Sequence, residues 1–282
     1  LDADIKGCFD NISHSYLLQQ LAKFPQKRLS QKWLKAGYLD EKLFYQTNVG
    51  TPQGGIINPL LANIALNGME EALNVKYHKN GQVRGENKYI VIRYADDFIV
   101  LAENENLIIE AKAKLEKWLK TRNLIFSEEK TTIYDVKIKS LNFLGFEFII
   151  YGTKCLVQPS KKAITKVISK TKEIWTLHRG KTAYNAIRKL NLLITGWANY
   201  YRKCNANKTF RYLDHVLWWQ ALRFGKRTHP KKSSNWVINK YFREYKSNNK
   251  QIKLERSQTF SDIDPKFGII YLKLFASFKI EE

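Results

Sequence analysis

The sequence predicts an α+β fold: an antiparallel sheet with helices on one face over residues 1–155, followed by a mostly helical, basic region. Three observations carry this. The apolar patterning of the first half runs strand, helix, helix, hairpin, helix, strands. Beyond about Pro159 it changes to helical stripes interleaved with lysines and aromatics. The chain has 282 residues, 44% hydrophobic and 13% aromatic, enough for two cores rather than one.

Each element has a local reason. Residues 1–6 alternate as a short strand, and a turn follows around Gly7–Asn11. The Ser13 hydroxyl can cap a helix that runs to about Phe24, before Pro25. Pro52, Gly54, Gly55 and Pro59 punctuate a loop over Gly50–Pro59, which feeds a helix from about Leu60 to Val75. Residues 88–102, KYIVIRYADDFIVLA, read as two apolar β runs joined by a polar turn at Asp96–Asp97. Ile108, Ala111, Leu115, Trp118 and Leu119, with lysines between them, predict an amphipathic helix over 105–120. Strands follow near 131–136 and 142–150. TKVISKTKEIWTL, AYNAIRKLNLLITGWANYY and FRYLDHVLWWQALRF each carry a helical apolar stripe, in which Trp197 and Trp218 read as core. The divisions are 1–155, 156–228 and 229–282; the tail from 245 shows no clear periodicity.

The formal net charge is +22 and the pI about 9.8. Residues 1–150 hold 20 Lys+Arg against 18 Asp+Glu, whereas residues 151–282 hold 28 against 8. Such an imbalance repels itself in the compact state and points to a polyanionic partner for the second half. Cys8, Cys155 and Cys204 form no C-x-x-C pair, so neither a zinc site nor a disulfide framework is indicated, and a reducing, intracellular compartment is expected. No apolar run approaches the roughly 18 residues of a membrane span, and the amino end has no signal-peptide pattern.

Carboxylates concentrate beside apolar strands. Asp4 ends the first strand, and Asp96 and Asp97 lie between Tyr94-Ala95 and Phe98-Ile99-Val100. Like charges this close repel unless a cation sits between them, and Mg²⁺ suits hard oxygen ligands shared with substrate phosphates. An Asp-Asp pair can equally be a plain polar hairpin turn. Asp2 shares the face of Asp4 by strand alternation.

Five ordered segments then resemble reverse transcriptases: LDADIKGCFDNISH at 1–14, GTPQGGIINPLLANIAL at 50–66, YADD at 94–97, SEEKT at 127–131 and FLGF at 143–146. GWANYYR at 196–202 and HPKKSSNWVINKYF at 229–242 resemble the thumb, or maturase, region of group II intron proteins. The resemblance covers roughly residues 1–245 and implies a right-hand polymerase palm over 1–155, without fingers. A thumb/maturase domain over 156–228 follows, then a linker with a truncated DNA-binding-like segment over 229–282.

It also implies site residues. Asp4, Asp96, Asp97 and the backbone carbonyl of Ile5 would hold two Mg²⁺ ions, with Mn²⁺ able to substitute. Phe9 matches the gate that excludes a 2′-hydroxyl, or is a core aromatic. Gln53 and Gly54 would meet the incoming nucleotide or template, although PQGG alone is only a turn. Lys130 would protonate the leaving pyrophosphate, or only bind phosphate. Phe143, Leu144 and Gly145 would position the primer, or form an ordinary buried strand. Arg202, Lys203, Lys231 and Lys232 are candidate phosphate contacts.

The expected partners are an RNA template, a DNA primer, deoxynucleoside triphosphates and group II intron RNA, with no membrane partner and a homodimer allowed. The compartment is the bacterial cytoplasm or an organelle, not the secretory route. Starting inside the first catalytic motif, the chain reads as a fragment with weak or no polymerisation of its own, and its carboxyl end shows no HNH nuclease pattern. The competing expectation is a maturase that binds RNA and assists splicing without polymerase activity.

Overall fold

Burial of the alternate residues Leu1, Ala3 and Ile5 turns one face of the first strand into the core. The computed structural model describes every residue except 41–42, 52–54, 79, 81, 83–84, 86, 245–257 and 282. It divides into two compact units, Leu1–Tyr134 and Asp135–Glu282.

The first unit runs β1 (Asp2–Ala3), α1 (Cys8–Asn11), α2 (His14–Gln20) and α3 (Lys27–Lys35). A small hairpin of β2 (Tyr38–Asp40) and β3 (Leu43–Tyr45) follows, then α4 (Asn58–Leu66) and α5 (Met69–Ala72). The hairpin of β4 (Ile90–Tyr94) and β5 (Asp97–Leu101) leads into α6 (Glu105–Lys120). The main sheet has the order β1-β5-β4, all antiparallel. The first strand is not an edge, because the segment 125–132 bonds along its other side: Ser127 N–H donates to Asp4 O at 2.8 Å and Thr132 N–H to Asp2 O at 2.8 Å. Phe98, Ile12, Leu17, Leu66, Met69, Leu115 and Leu119 fill the core beneath it.

Several sequence expectations meet their physical cause here. Ser13 does cap α2, accepting from Tyr16 N at 3.2 Å, but the helix stops at Gln20 rather than Phe24. The helix expected over 60–75 is broken at Asn67, whose extended backbone separates α4 from α5. Helix α6 falls where its apolar period places it, capped by Asn104, which accepts from Leu107 N at 3.0 Å. Residues 131–136 form no strand; Thr132 makes only an isolated bridge to Asp2. Arg122, almost buried, ties three helices together: its Nε–H donates to Ala65 O at 2.8 Å, and its guanidinium stacks on Trp118 at 3.7 Å and on Tyr16 at 4.5 Å.

The second unit begins with an antiparallel sheet of β6 (Leu141–Phe143), β7 (Phe146–Tyr151) and β8 (Lys154–Pro159). The helices α7 (Lys161–Leu177), α8 (Ala183–Tyr201), α9 (Asn207–Thr228) and α10 (Ser234–Tyr241) follow. Strands β9 (Phe242–Glu244), β10 (Gln258–Asp264) and β11 (Gly268–Tyr271) form its other sheet, before a short 3₁₀ turn at Phe275–Ser277. The core packs Ile187, Leu190 and Ile194 of α8 against Leu213 and Leu217 of α9, with Phe260 and Phe275. The units part at Tyr134, earlier than the change in composition near 155, because Phe146 and Val157 of the sheet pack onto the helical core. The tail from 245, unassigned from sequence, supplies β10 and β11: Phe260 and Ser261 are buried consecutively, so no period of two is visible. No helix among the described residues is long and apolar enough to cross a membrane.

Candidate active site

The registers Asp2↔Ile99 and Ala3↔Phe98 bring Asp4, one step further, opposite Asp97 at the start of β5. Tyr94 pairs with Asp97, so the hairpin tip is Ala95 and Asp96, with Ala95 at φ 56°. The tip is therefore one residue earlier than the Asp96–Asp97 turn read from the sequence; Asp96 projects from the turn and Asp97 belongs to the strand. Lys130 arrives from the other side. Its turn is pinned by Ser127 N–H to Asp4 O, and its Nζ donates to Asp4 Oδ2 at 2.7 Å.

The electrostatics follow from this crowding. Burial, then the charges of Asp96 and Asp4, raise the Asp97 carboxyl above its ordinary range, while Lys130 opposes the shift. Lys130 is raised by its hydrogen bond to Asp4 and by the Asp4 charge. Burial, then the charges of Asp96 and Asp4, push the Cys8 thiol up to about 12, so it stays protonated at neutral pH. Asp2 shares the strand face but is engaged elsewhere: burial and then the Asp2 charge and hydrogen bond push the Tyr134 hydroxyl up to about 12. Backbone alternation aims Ile5. Leu1 bonds to Val100 while Asp2 and Asp4 bond to segment 125–132, so the Ile5 carbonyl turns toward the hairpin side, where Asp96 lies.

These are hard oxygen donors, the type a divalent cation such as Mg²⁺ takes, and their mutual repulsion is what such a cation relieves. Among the described residues no three His, Cys, Asp or Glu side chains stand close enough to hold a metal ion. The Asp4 carboxylate is turned onto the Lys130 ammonium, the cation that stands beside it instead. The donor set fits a metal in kind.

Phe9 lies in α1, partly buried against the first core. Its carbonyl accepts from Thr51 N at 2.6 Å, and His14 Nε2 meets Gly50 O at 2.6 Å. Gly50 sits at φ 72° against the Asp10 backbone, where a Cβ would collide. The base of the 50–55 loop is thus clamped to the first motif by Phe9 and the buried His14, a role no local pattern disclosed. Gln53 and Gly54 lie outside the described residues.

In the second unit Phe143 is buried and Leu144–Gly145 form a two-residue hairpin turn at φ 50° and 82°. The C-terminal turn of α8 holds it: Tyr200 Oη donates to Leu144 O at 2.9 Å and Tyr201 Oη to Gly145 O at 3.3 Å. Both rings also pack on Phe146. The two tyrosines, adjacent to Arg202, were visible in the sequence as part of a helical aromatic stripe, and only a hydroxyl's need for a partner hints at this use. Arg202 itself pairs with Glu281 at 2.7 Å. Lys203 and Lys231 are exposed, and Lys232 lies 5.4 Å over the Trp236 ring.

Comparison with known proteins agrees with these two halves. The family described as reverse transcriptase (RNA-dependent DNA polymerase) matches residues 1–148, and the group II intron maturase-specific domain matches residues 164–242. The group II intron-encoded protein LtrA of Lactococcus lactis subsp. cremoris is 30% identical, over 52% of this chain and 34% of its own length. Protein YkfC of Escherichia coli (strain K12) is 29% identical, over 62% of this chain and 55% of its own length. A 91 kDa protein in a cob intron of Schizosaccharomyces pombe is 45% identical over 25% of this chain and 9% of its own length. The chain therefore spans about a third of LtrA. With the reverse transcriptase match over more than half its residues and the maturase domain following in order, the chain belongs to the family of group II intron-encoded reverse transcriptases and maturases.

Proposed function

We propose that the protein is an RNA-directed DNA polymerase of a group II intron that also binds the intron RNA to assist splicing and mobility. The observation that carries this is the meeting of Asp4, Asp97 and Lys130 across β1 and β5, with Asp96 at the adjoining hairpin tip. The first unit serves as the palm, and the helical second unit, with its excess of Lys and Arg, as thumb and RNA-binding surface.

Asp4, Asp96, Asp97 and the Ile5 carbonyl would hold two Mg²⁺ ions. When bound, these activate the primer 3′-hydroxyl and neutralise the triphosphate in an in-line displacement. The chain's own groups do the rest. Lys130, charged and exposed beside Asp4, is in reach to give a proton to the departing pyrophosphate. The Phe9 ring excludes a 2′-hydroxyl, selecting deoxynucleotides. His14 and Thr51 hold the loop whose Gln53 and Gly54 contact nucleotide or template. Phe143, Leu144 and Gly145, braced by Tyr200 and Tyr201, grip the primer. Lys203, Lys231 and Lys232 contact phosphates, joined by Arg202 when it leaves Glu281.

Primer extension on poly(rA)/oligo(dT) with Mg²⁺ tests the polymerase reading. Synthesis by the intact protein should vanish in the Asp96→Ala, Asp97→Ala variant; equal synthesis by both would refute the assignment. The match of the maturase-specific domain to residues 164–242 carries the second reading, a maturase without polymerase activity. Assisted splicing of an intron RNA should then survive the double substitution while DNA synthesis is absent from both proteins.

A further inference from the structure

Lys172 and Trp175 on α7, with Arg179 in the turn just after it, line a cleft of about 220 Å³ together with Gln220, Arg223 and Arg227 on α9. Gln220, Arg223 and Arg227 follow the i, i+3, i+7 spacing of one helix face, so cations line both walls. Trp175 and Phe224 form the floor, ring centroids 4.8 Å apart. None of the four cations forms an ion pair among the described residues.

Two polar atoms of the lining have no partner within the protein: the buried Trp175 indole N–H and the Gln220 side-chain oxygen. The Gln220 amide nitrogen is already used on Ile168 O at 3.3 Å. Buried polar groups are nearly always paired, so an orphaned donor from α7 and an orphaned acceptor from α9 in one cleft call for a ligand carrying both. The space is smaller than the about 300–1,000 Å³ of drug-sized pockets, which suits one planar ring system. Beyond Phe224 a second depression is lined by the cations Lys181, Lys240 and Arg243 and by one acid, Asp262, which accepts from Tyr184 N at 2.8 Å, so net positive charge extends past the cleft.

We propose that this cleft binds one unpaired nucleotide of a single-stranded RNA, its base over Trp175 and Phe224 and its flanking phosphates on Lys172, Arg179, Arg223 and Arg227. The base edge, which alternates donors and acceptors, meets Gln220 and the indole N–H. This rests on the reading of the second unit as an RNA-binding surface and gives that surface a defined site.

The test is anisotropy titration of the full 282-residue chain with a labelled single-stranded RNA twelve-mer, in rising salt. Arg179→Gln, Arg223→Gln, Arg227→Gln together should weaken binding by about tenfold or more at 0.1 M salt and flatten the log–log salt slope by about 2. The control Lys162→Gln, Lys166→Gln, Lys170→Gln removes equal charge from the i, i+4, i+8 stripe of α7 away from the cleft, and should cost less than about threefold. Circular dichroism confirms that both variants, altered at exposed positions, are folded. A 4-thiouridine-bearing oligomer should crosslink to peptides holding Trp175 or Phe224, and blunt duplex RNA should compete poorly. Equal losses in the two triple variants, crosslinks confined elsewhere, or full competition by duplex would overturn the pocket while leaving RNA binding intact. An intact chain that binds no RNA would overturn both.

Discussion

The ammonium of Lys130 stands 2.7 Å from Asp4 Oδ2, where a divalent cation would need that oxygen. An exposed lysine is a weak but real competitor for the carboxylate. Lys130→Ala should therefore tighten Mn²⁺ binding, followed by electron paramagnetic resonance, on the order of a few-fold, even as DNA synthesis falls. Binding that weakens or stays the same would show that Lys130 does not guard the site. A second residue-scale expectation concerns the hairpin turn that α8 braces. At Gly145, φ is 82° and an added Cβ would lie 2.5 Å from Tyr201 Oη, so Gly145→Ala should cost about 1–3 kcal/mol in urea unfolding. Leu144 bears the same left-handed strain at φ 50°, and Leu144→Asn should recover about 1 kcal/mol. If both substitutions destabilise alike, contacts of the Leu144 side chain outweigh its backbone. The carboxylates and FLGF were legible because their motifs are contiguous. The clamps of His14 on Gly50 and Tyr200 on Leu144 were not, because each joins residues 36 and 56 positions apart.

Elements were legible in proportion to their length and period. Helices α6, α7, α8 and α9 repeat an apolar stripe over several turns, and their extents follow it closely. Short elements depend on partners: β1 is two residues long and exists because strand β5 and segment 125–132 flank it. The last sheet was hidden for the same reason. The 3₁₀ turn that follows it is held by a single acid, Asp214 on α9, which accepts from Phe275 N at 2.6 Å and Ala276 N at 3.0 Å. Burial raises its carboxyl to about 7, against the opposing pull of those two bonds. A folded value above the unfolded 3.8 means the folded state holds the proton more tightly. Its contribution is then full below the unfolded value and is lost as pH rises through about 7. Asp214→Asn removes this titration. The stability of the parent relative to the variant should fall steadily from pH 4 toward 8 in matched denaturant melts, by an amount on the order of kcal/mol. A difference that is constant with pH would mean that Asp214 is ionised in the fold throughout.

Across the whole molecule the governing fact is charge: +22 overall, almost all of it after residue 150. This was the most legible property, since a count along the chain suffices, and it makes salt act in opposite directions on two measurements. Within the protein, like charges repel; screening relieves this and should raise the melting temperature as salt increases from about 0.05 to 0.2 M, within a Debye length that shrinks over that range. Against RNA, the same cations release counterions on binding, so affinity should fall by about a thousandfold over that interval if about six phosphates are engaged. The pairing of signs is the informative part. Salt that stabilises the fold while weakening RNA binding marks the basic surface as solvated and free for a polyanion. Salt that weakens both would mean that surface ion pairs hold the fold together, which the few bridges among the described residues, Lys112–Glu116, Lys114–Glu110, Lys130–Asp4 and Arg202–Glu281, argue against. Only one of these involves the basic second half, so most of its cations have no acid to lose, and a polyanion is the partner that would neutralise them.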